Sequence, residues 1–107
     1  MENHFLDKDR CKQIVDNGIN VGTNLFWWKY DGNEWVLDRD SGEYPALTLG
    51  DLVNLLPKYI YGEKIEGMSI HLRNNIYYVK YGKECMGIDE NMIIAIFNAV
   101  MNCIKIN

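Results

Sequence analysis

The sequence is short of the residues on which most recognisable chemistry rests. Its three cysteines, Cys11, Cys85 and Cys103, show no CxxC spacing. An odd, scattered set of this kind points to reduced thiols in a cytosolic protein, and away from a disulfide framework or a zinc site. The two histidines, His4 and His71, stand at no metal-ligand spacing from a Cys, Asp or Glu. There is no GxxxxGK[ST], GxGxxG, GxSxG or HExxH, so the signatures of phosphate loops, dinucleotide folds, serine-hydrolase elbows and zincin helices are missing. A chain of net charge −4 without a basic run is a poor match for duplex nucleic acid, whose affinity comes from Lys and Arg neutralising phosphates. No stretch is long and apolar enough for a transmembrane helix, and the first ten residues lack the apolar run of a signal peptide. The expectation is a cytoplasmic protein with no cofactor, no metal and no membrane contact, for which an enzyme is the minor reading.

What is present is ample apolar surface. The 107 residues are 48% hydrophobic and 12% aromatic against 24% charged, enough to offset conformational entropy in one folded domain over residues 1–107. Charge divides unevenly. Residues 1–54 carry five Lys or Arg against ten Asp or Glu, a balance of −5, whereas residues 55–107 carry six against five, a balance of +1. Basic and neutral partners both remain open.

Residues 7–17 read as a first helix, with Ile14 and Val15 three and four positions after Cys11 and a left-handed C-cap at Asn17-Gly18. Two aromatic and β-branched runs then flank Asp31-Gly32, a strong hairpin dipeptide. If those two residues form the turn, Lys29 pairs with Glu34, Trp28 with Trp35 and Phe26 with Leu37. Phe26, Trp28, Trp35 and Leu37 then share one face, and Leu25, Trp27, Lys29, Glu34 and Val36 the other. Thr48 with Asp51 three residues on is a variant capping box for a second helix, which Pro57 stops near Leu56. A second hairpin turns at Asn74-Asn75 and pairs residues whose numbers sum to 149. Its apolar face holds Met68, Ile70, Leu72, Tyr77, Val79 and Tyr81, while Ser69, His71, Arg73, Tyr78 and Lys80 face away. Asp89 caps a last helix from about 90 to 105, apolar around much of its circumference. Ile93, Ile96, Val100, Cys103 and Ile104 form one stripe, Ile94, Phe97 and Met101 a second, and Asn91, Asn98, Asn102 and Lys105 a narrow polar edge. The expected fold is α+β, in the order α-β-β-α-β-β-α, with antiparallel sheet from two hairpins packed on helices.

Tyr44-Pro45-Ala46-Leu47-Thr48-Leu49 opening a helix, the strand Tyr77-Tyr78-Val79-Lys80-Tyr81 and Asn98-Ala99-Val100 in the last helix give the order of elements over residues 11–104 a familiar look. In these features the chain resembles small uncharacterised proteins carried by prophages and other mobile elements of gut Bacteroidetes. Where those proteins often show Trp-Leu-Arg in the second helix, this chain has Leu55-Leu56-Pro57-Lys58-Tyr59. The resemblance implies a genetic context and a bacterial host cytoplasm, and it carries no activity to any residue.

Candidate constellations are few. Residues 38–43 alternate carboxylates before Gly42, but the register of a calcium loop fails, because Gly42 stands where a third ligand belongs and Leu49 where the distal Glu should be. That leaves a solvated acidic turn. His71 opposite Tyr78 reads as a surface cross-strand pair. Cys103 reads as a buried structural thiol, and Cys85, in a loop at residues 82–87, as the better candidate for a reactive one. The leading expectation is a small non-enzymatic module that binds a protein partner and forms a homodimer through Ile94, Phe97 and Met101. The competing expectation is a small-ligand or single-stranded nucleic-acid binder using Trp27, His71, Arg73, Tyr78 and Lys80 on an exposed sheet face.

Overall fold

The computed structural model describes residues 4–21, 26–61 and 65–106, without the side chains of 59–61, 65–66 and 105–106. Leu25 and the side chain of Lys105, both assigned places above, lie outside what is described. The fold is α+β. The three expected helices and two expected hairpins stand in sequence order, and three further strands join them. The chain divides into two compact units, Met1–Asp51 and Leu52–Asn107.

In the first unit, helix α1 spans Lys8–Asp16. Asp7 caps it, its carboxylate accepting from the Arg10 amide at 3.1 Å and from the Arg10 guanidinium at 2.8 Å. At the other end the Gly18 amide donates to the Val15 carbonyl and the Ile19 amide to that of Ile14, with Gly18 at φ +73°. This is the Schellman arrangement for which Asn17-Gly18 is suited. Cys11 and Ile14 are buried, but Val15 is exposed, so the helix buries a narrower stripe than its apolar spacing implies.

Strands β1 (Trp27–Tyr30), β2 (Trp35–Asp38) and β3 (Tyr44–Pro45) make an antiparallel sheet in the order β2-β1-β3. The first hairpin is paired two residues away from the expected register. Trp28 lies opposite Leu37, Lys29 opposite Val36 and Tyr30 opposite Trp35. The cause is Asp31, whose Oδ1 accepts from the amides of Asn33 and Glu34, both at 2.9 Å. Asp31 thereby becomes the residue before the turn and Gly32-Asn33 the turn itself, with Gly32 at φ +102°. A slip of two preserves parity, so the face assignments of Phe26, Trp28, Trp35 and Leu37 survive while every pair changes. Lys29 loses Glu34 as its opposite number and instead approaches the Asp38 carboxylate at 3.9 Å.

The core of this unit is closed by one carbonyl. Leu6 accepts from the buried Trp28 indole at 2.9 Å and from the Cys11 thiol at 3.4 Å. Its amide donates to Leu47 at 2.8 Å, beside an isolated bridge from Phe5 to Thr48. Helix α2 (Leu49–Leu55) then starts with the expected reciprocal cap. The Thr48 amide donates to Asp51 Oδ2 at 2.9 Å and the Asp51 amide to Thr48 Oγ1 at 3.2 Å.

The second unit is a four-stranded antiparallel sheet, β4 (Tyr59–Tyr61), β5 (Ile65–Arg73), β6 (Ile76–Tyr81) and β7 (Glu84–Asp89), in chain order. Helix α3 (Met92–Ile106) packs on β7 and β6. The β5–β6 hairpin has the expected register throughout, from Met68 opposite Tyr81 to Arg73 opposite Ile76. Asn74 and Asn75 both take positive φ, 53° and 63°, the conformation of a two-residue turn whose twist matches the strands. Residues 82–87, expected as a loop, are instead mostly β7, so Cys85 sits exposed on a strand. The alternation that would announce this strand is broken by a register shift opposite Val79 and Lys80 and by Gly87.

Gly87 sets how closely α3 approaches. A Cβ there would lie 2.0 Å from the Ala95 carbonyl oxygen and 2.7 Å from the Ala99 amide. Gly87 is paired with Val79, so α3 covers the face that also carries Tyr81. Val79 and Tyr81 are accordingly only 0% and 1% exposed, and the Tyr81 hydroxyl donates to the Pro57 carbonyl.

A candidate interaction surface on β5 and β6

The apolar face of the β5–β6 hairpin is covered at one end only. A helix is about 10 Å across and strands lie about 4.8 Å apart, so one helix shields roughly two strands. Helix α3 lies over β7 and β6, and β5 runs beyond it. Ile70 is 38% exposed and Leu72 60%, although both occupy the same face as the fully buried Val79. Sequence reading placed this pair on the apolar face of the hairpin, and alternation carries no information on how wide a cover that face receives.

The opposite face of the sheet carries the polar side chains of the hairpin, His71 and Arg73 among them exposed. The register places His71 opposite Tyr78, Lys80 opposite Ser69, and Arg73 at the hairpin end, so these four expected ligand residues do share one face. His71 and Arg73 are exposed, Tyr78 and Lys80 half-buried. The His71 ring lies 2.9 Å from the Ser69 hydroxyl. Ile88, opposite Tyr78, adds a largely exposed apolar side chain that sequence reading missed together with its strand. The β7 carboxylates Glu84 and Asp89 pair with Tyr81 and Tyr77 and so belong to the other face. No ion pair among the described residues includes Arg73 or Lys80. Trp27, the fifth residue of that expected set, belongs to the first unit, where it is half-buried opposite Asp38. The tryptophans do not form one platform. Trp28 is core, whereas Trp35 packs on Tyr30 and Tyr44 with ring centroids 5.5 and 5.7 Å apart, and Lys8 Nζ lies 4.7 Å above its ring.

On α3, the stripe expected to self-associate is largely covered by the chain itself. Phe97 is 5% exposed, and Ile94 and Met101 are half-buried. The polar edge has a task that sequence reading did not assign. The Asn98 side-chain amide donates to the Ile88 carbonyl at 3.3 Å, and that of Asn102 to the Met86 carbonyl at 2.6 Å. Two asparagines one helical turn apart thus hold α3 along the outer edge of β7.

The thiols separate by environment. Burial pushes Cys11 up to about 11 and also raises Cys103, keeping both in the weakly nucleophilic protonated form. The exposed Cys85 thiol donates to the Gly87 carbonyl at 3.6 Å. Among the described residues, no group of three or more His, Cys, Asp or Glu side chains is gathered to hold a metal ion, and no helix is long and apolar enough to cross a membrane. The acidic turn after β2 closes on itself, Asp38 Oδ1 accepting from the amides of Asp40 at 2.7 Å and Ser41 at 3.2 Å. No family model, curated protein or solved structure matches the chain.

Proposed function

We propose that the protein is a small non-enzymatic interaction module that binds a protein partner through the outer end of β5, in the mobile-element setting that its sequence resemblance implies. The observation that carries this reading is the exposure of Ile70 and Leu72 on the sheet face that also carries the buried Val79 and Tyr81. Neighbouring exposed aliphatic side chains rimmed by polar groups are what a protein contact covers. The test is a selection of random displayed peptides on the wild-type protein, followed by binding of the winners to Leu72→Asp. Leu72 is already mostly in water, so the variant keeps its circular dichroism and unfolding midpoint. The expected result is enriched peptides whose affinity drops about tenfold or more, the loss of a well-packed aliphatic contact. Peptides that bind Leu72→Asp equally well, or a selection that enriches nothing, would overturn the reading.

A further inference from the structure

The two edges of the second sheet are finished differently. Along β7 the outward carbonyls of Met86 and Ile88 are taken by Asn102 and Asn98, and the strand carries a register shift; both are devices that keep an edge from recruiting another strand. Along β5 the flanking strand β4 stops early. Its pairing runs from Tyr61 opposite Ile65 to Tyr59 opposite Gly67, and the last backbone bond on that side is the Met68 amide to the Lys58 carbonyl at 3.3 Å. Beyond it, no described strand flanks residues 69–73 on that side. Among the described residues, one edge is guarded and a five-residue stretch of the other has no strand beside it, at the exposed Ile70 and Leu72.

We propose that the partner adds an antiparallel β-strand to residues 69–73 of β5, and that this strand alternates apolar and acidic residues. This inference rests on the reading of the β5 end as the contact surface and names its mode and the partner's chemistry. Opposed residues of an antiparallel pair share a face, so apolar side chains opposite Ile70 and Leu72 extend the apolar row. The residues between them fall opposite His71 and beside Arg73, on the face whose cations have no carboxylate among the ion pairs described. An acidic side chain there meets complementary charge. Strand addition draws its affinity from main-chain hydrogen bonds and its selectivity from such alternate side chains.

The probe is the capped peptide Thr-Val-Glu-Ile-Glu-Val-Thr, titrated calorimetrically into the full chain. Two further versions are N-methylated, one on its three aliphatic residues and one on its two Glu residues. In an added strand only one of those amide sets faces β5, so one version loses binding and the other keeps it. The wild type is expected to bind the parent peptide, Leu72→Asp to weaken it about tenfold or more, and Arg73→Glu to weaken it severalfold while favouring the counterpart peptide with Lys in place of Glu. If the parent peptide binds and Leu72→Asp abolishes binding, but both methylated versions behave alike, strand addition is overturned while the contact surface stands. Binding indifferent to Leu72→Asp would sink the contact surface as well. A parent peptide that fails to bind overturns the proposed partner chemistry. So does a wild-type dimer that Leu72→Asp dissociates and the peptide does not, because β5 is then paired with a second copy.

Discussion

The two units close their chains by different physics. In the first, turns and helix starts are fixed by carboxylates that accept backbone amides: Asp7 at α1, Asp31 at the hairpin, Asp38 after β2 and Asp51 at α2. The second unit shows one such group among its described residues, Asp89 at the end of β7, whose carboxylate accepts from the Asn91 amide at 2.8 Å. Its β5–β6 turn is set by two asparagines at positive φ, and its helix seat by the missing side chain of Gly87. The charge balance follows this division, −5 in residues 1–54 and +1 in residues 55–107. A carboxylate caps an amide more strongly ionised than protonated, whereas a backbone approach is indifferent to pH and intolerant of added volume. The first unit should therefore be sensitive to titration and the second to a single methyl group.

The largest effect expected from this contrast is at Gly87. Gly87→Ala places a methyl 2.0 Å from a helix carbonyl. Backbone, and no flexible side chain, stands in the way, so α3 must lift from β7. Overpacking ordinarily costs about 1–3 kcal/mol, and a clash with backbone belongs at or above the top of that range. Amide exchange in β7 and α3 should accelerate strongly. Unchanged protection there would mean that the helix seat is not set by this glycine. All three tryptophans, Trp27, Trp28 and Trp35, lie in the first unit, so indole fluorescence reports on that unit separately.

The second effect is alkaline and belongs to the first unit. Burial raises the Cys11 thiol from 9.0 to about 11, so folding favours its protonated form. Stability from this source is complete below the unfolded value near 9 and falls as pH rises through the folded value. The loss between pH 9 and 11 is on the order of 2–3 kcal/mol. Denaturant midpoints read by indole fluorescence should decline across that window for the wild type and stay flatter for Cys11→Ala, which starts lower because of the cavity it leaves. Parallel pH slopes for the two proteins would remove Cys11 as the source.

The same contrast explains how much of this molecule was legible in its sequence. Where structure is set by local chemistry with one outcome, the reading reached the residue. Asn74-Asn75 fixed a register, Thr48 with Asp51 a helix start, and Asn17-Gly18 a helix end. At Asp31-Gly32 a dipeptide allowed two outcomes, and an Asx interaction with the amides of Asn33 and Glu34 selected the one two residues on. Strands β3 and β4, at two and three residues, are too short to show a period, and β7 had its period broken by a register shift and by Gly87. The candidate surface was half legible. Parity gave His71, Arg73, Tyr78 and Lys80 a common face, but the exposure of Ile70 and Leu72 depends on where a distant helix ends its cover. The burial of Phe97 is likewise a tertiary fact that periodicity does not contain.

The smallest expected effect is the sharpest test of the carboxylate argument. Amide donors at Asn33 and Glu34 hold the Asp31 carboxyl below its usual range, and those at Asp40 and Ser41 do the same for Asp38. A depressed folded value means stability that is present above the unfolded carboxylate value near 3.8 and lost as pH falls through the folded one. Asp31 and Asp38 are surface groups, so each contribution is small at neutral pH. Asp31→Asn keeps an oxygen that can accept the same two amides but cannot titrate. It should therefore leave the first hairpin in its observed register at pH 7 while flattening the acid limb of the indole-monitored unfolding curve, with Asp31→Ala lowering stability at both pH values. If Asp31→Asn moved the pairing so that Lys29 faced Glu34, the register would depend on the charge of residue 31. An unchanged register with a flatter acid limb assigns the turn to acceptor geometry and its pH dependence to the carboxylate, two properties of one side chain that the native residue cannot separate.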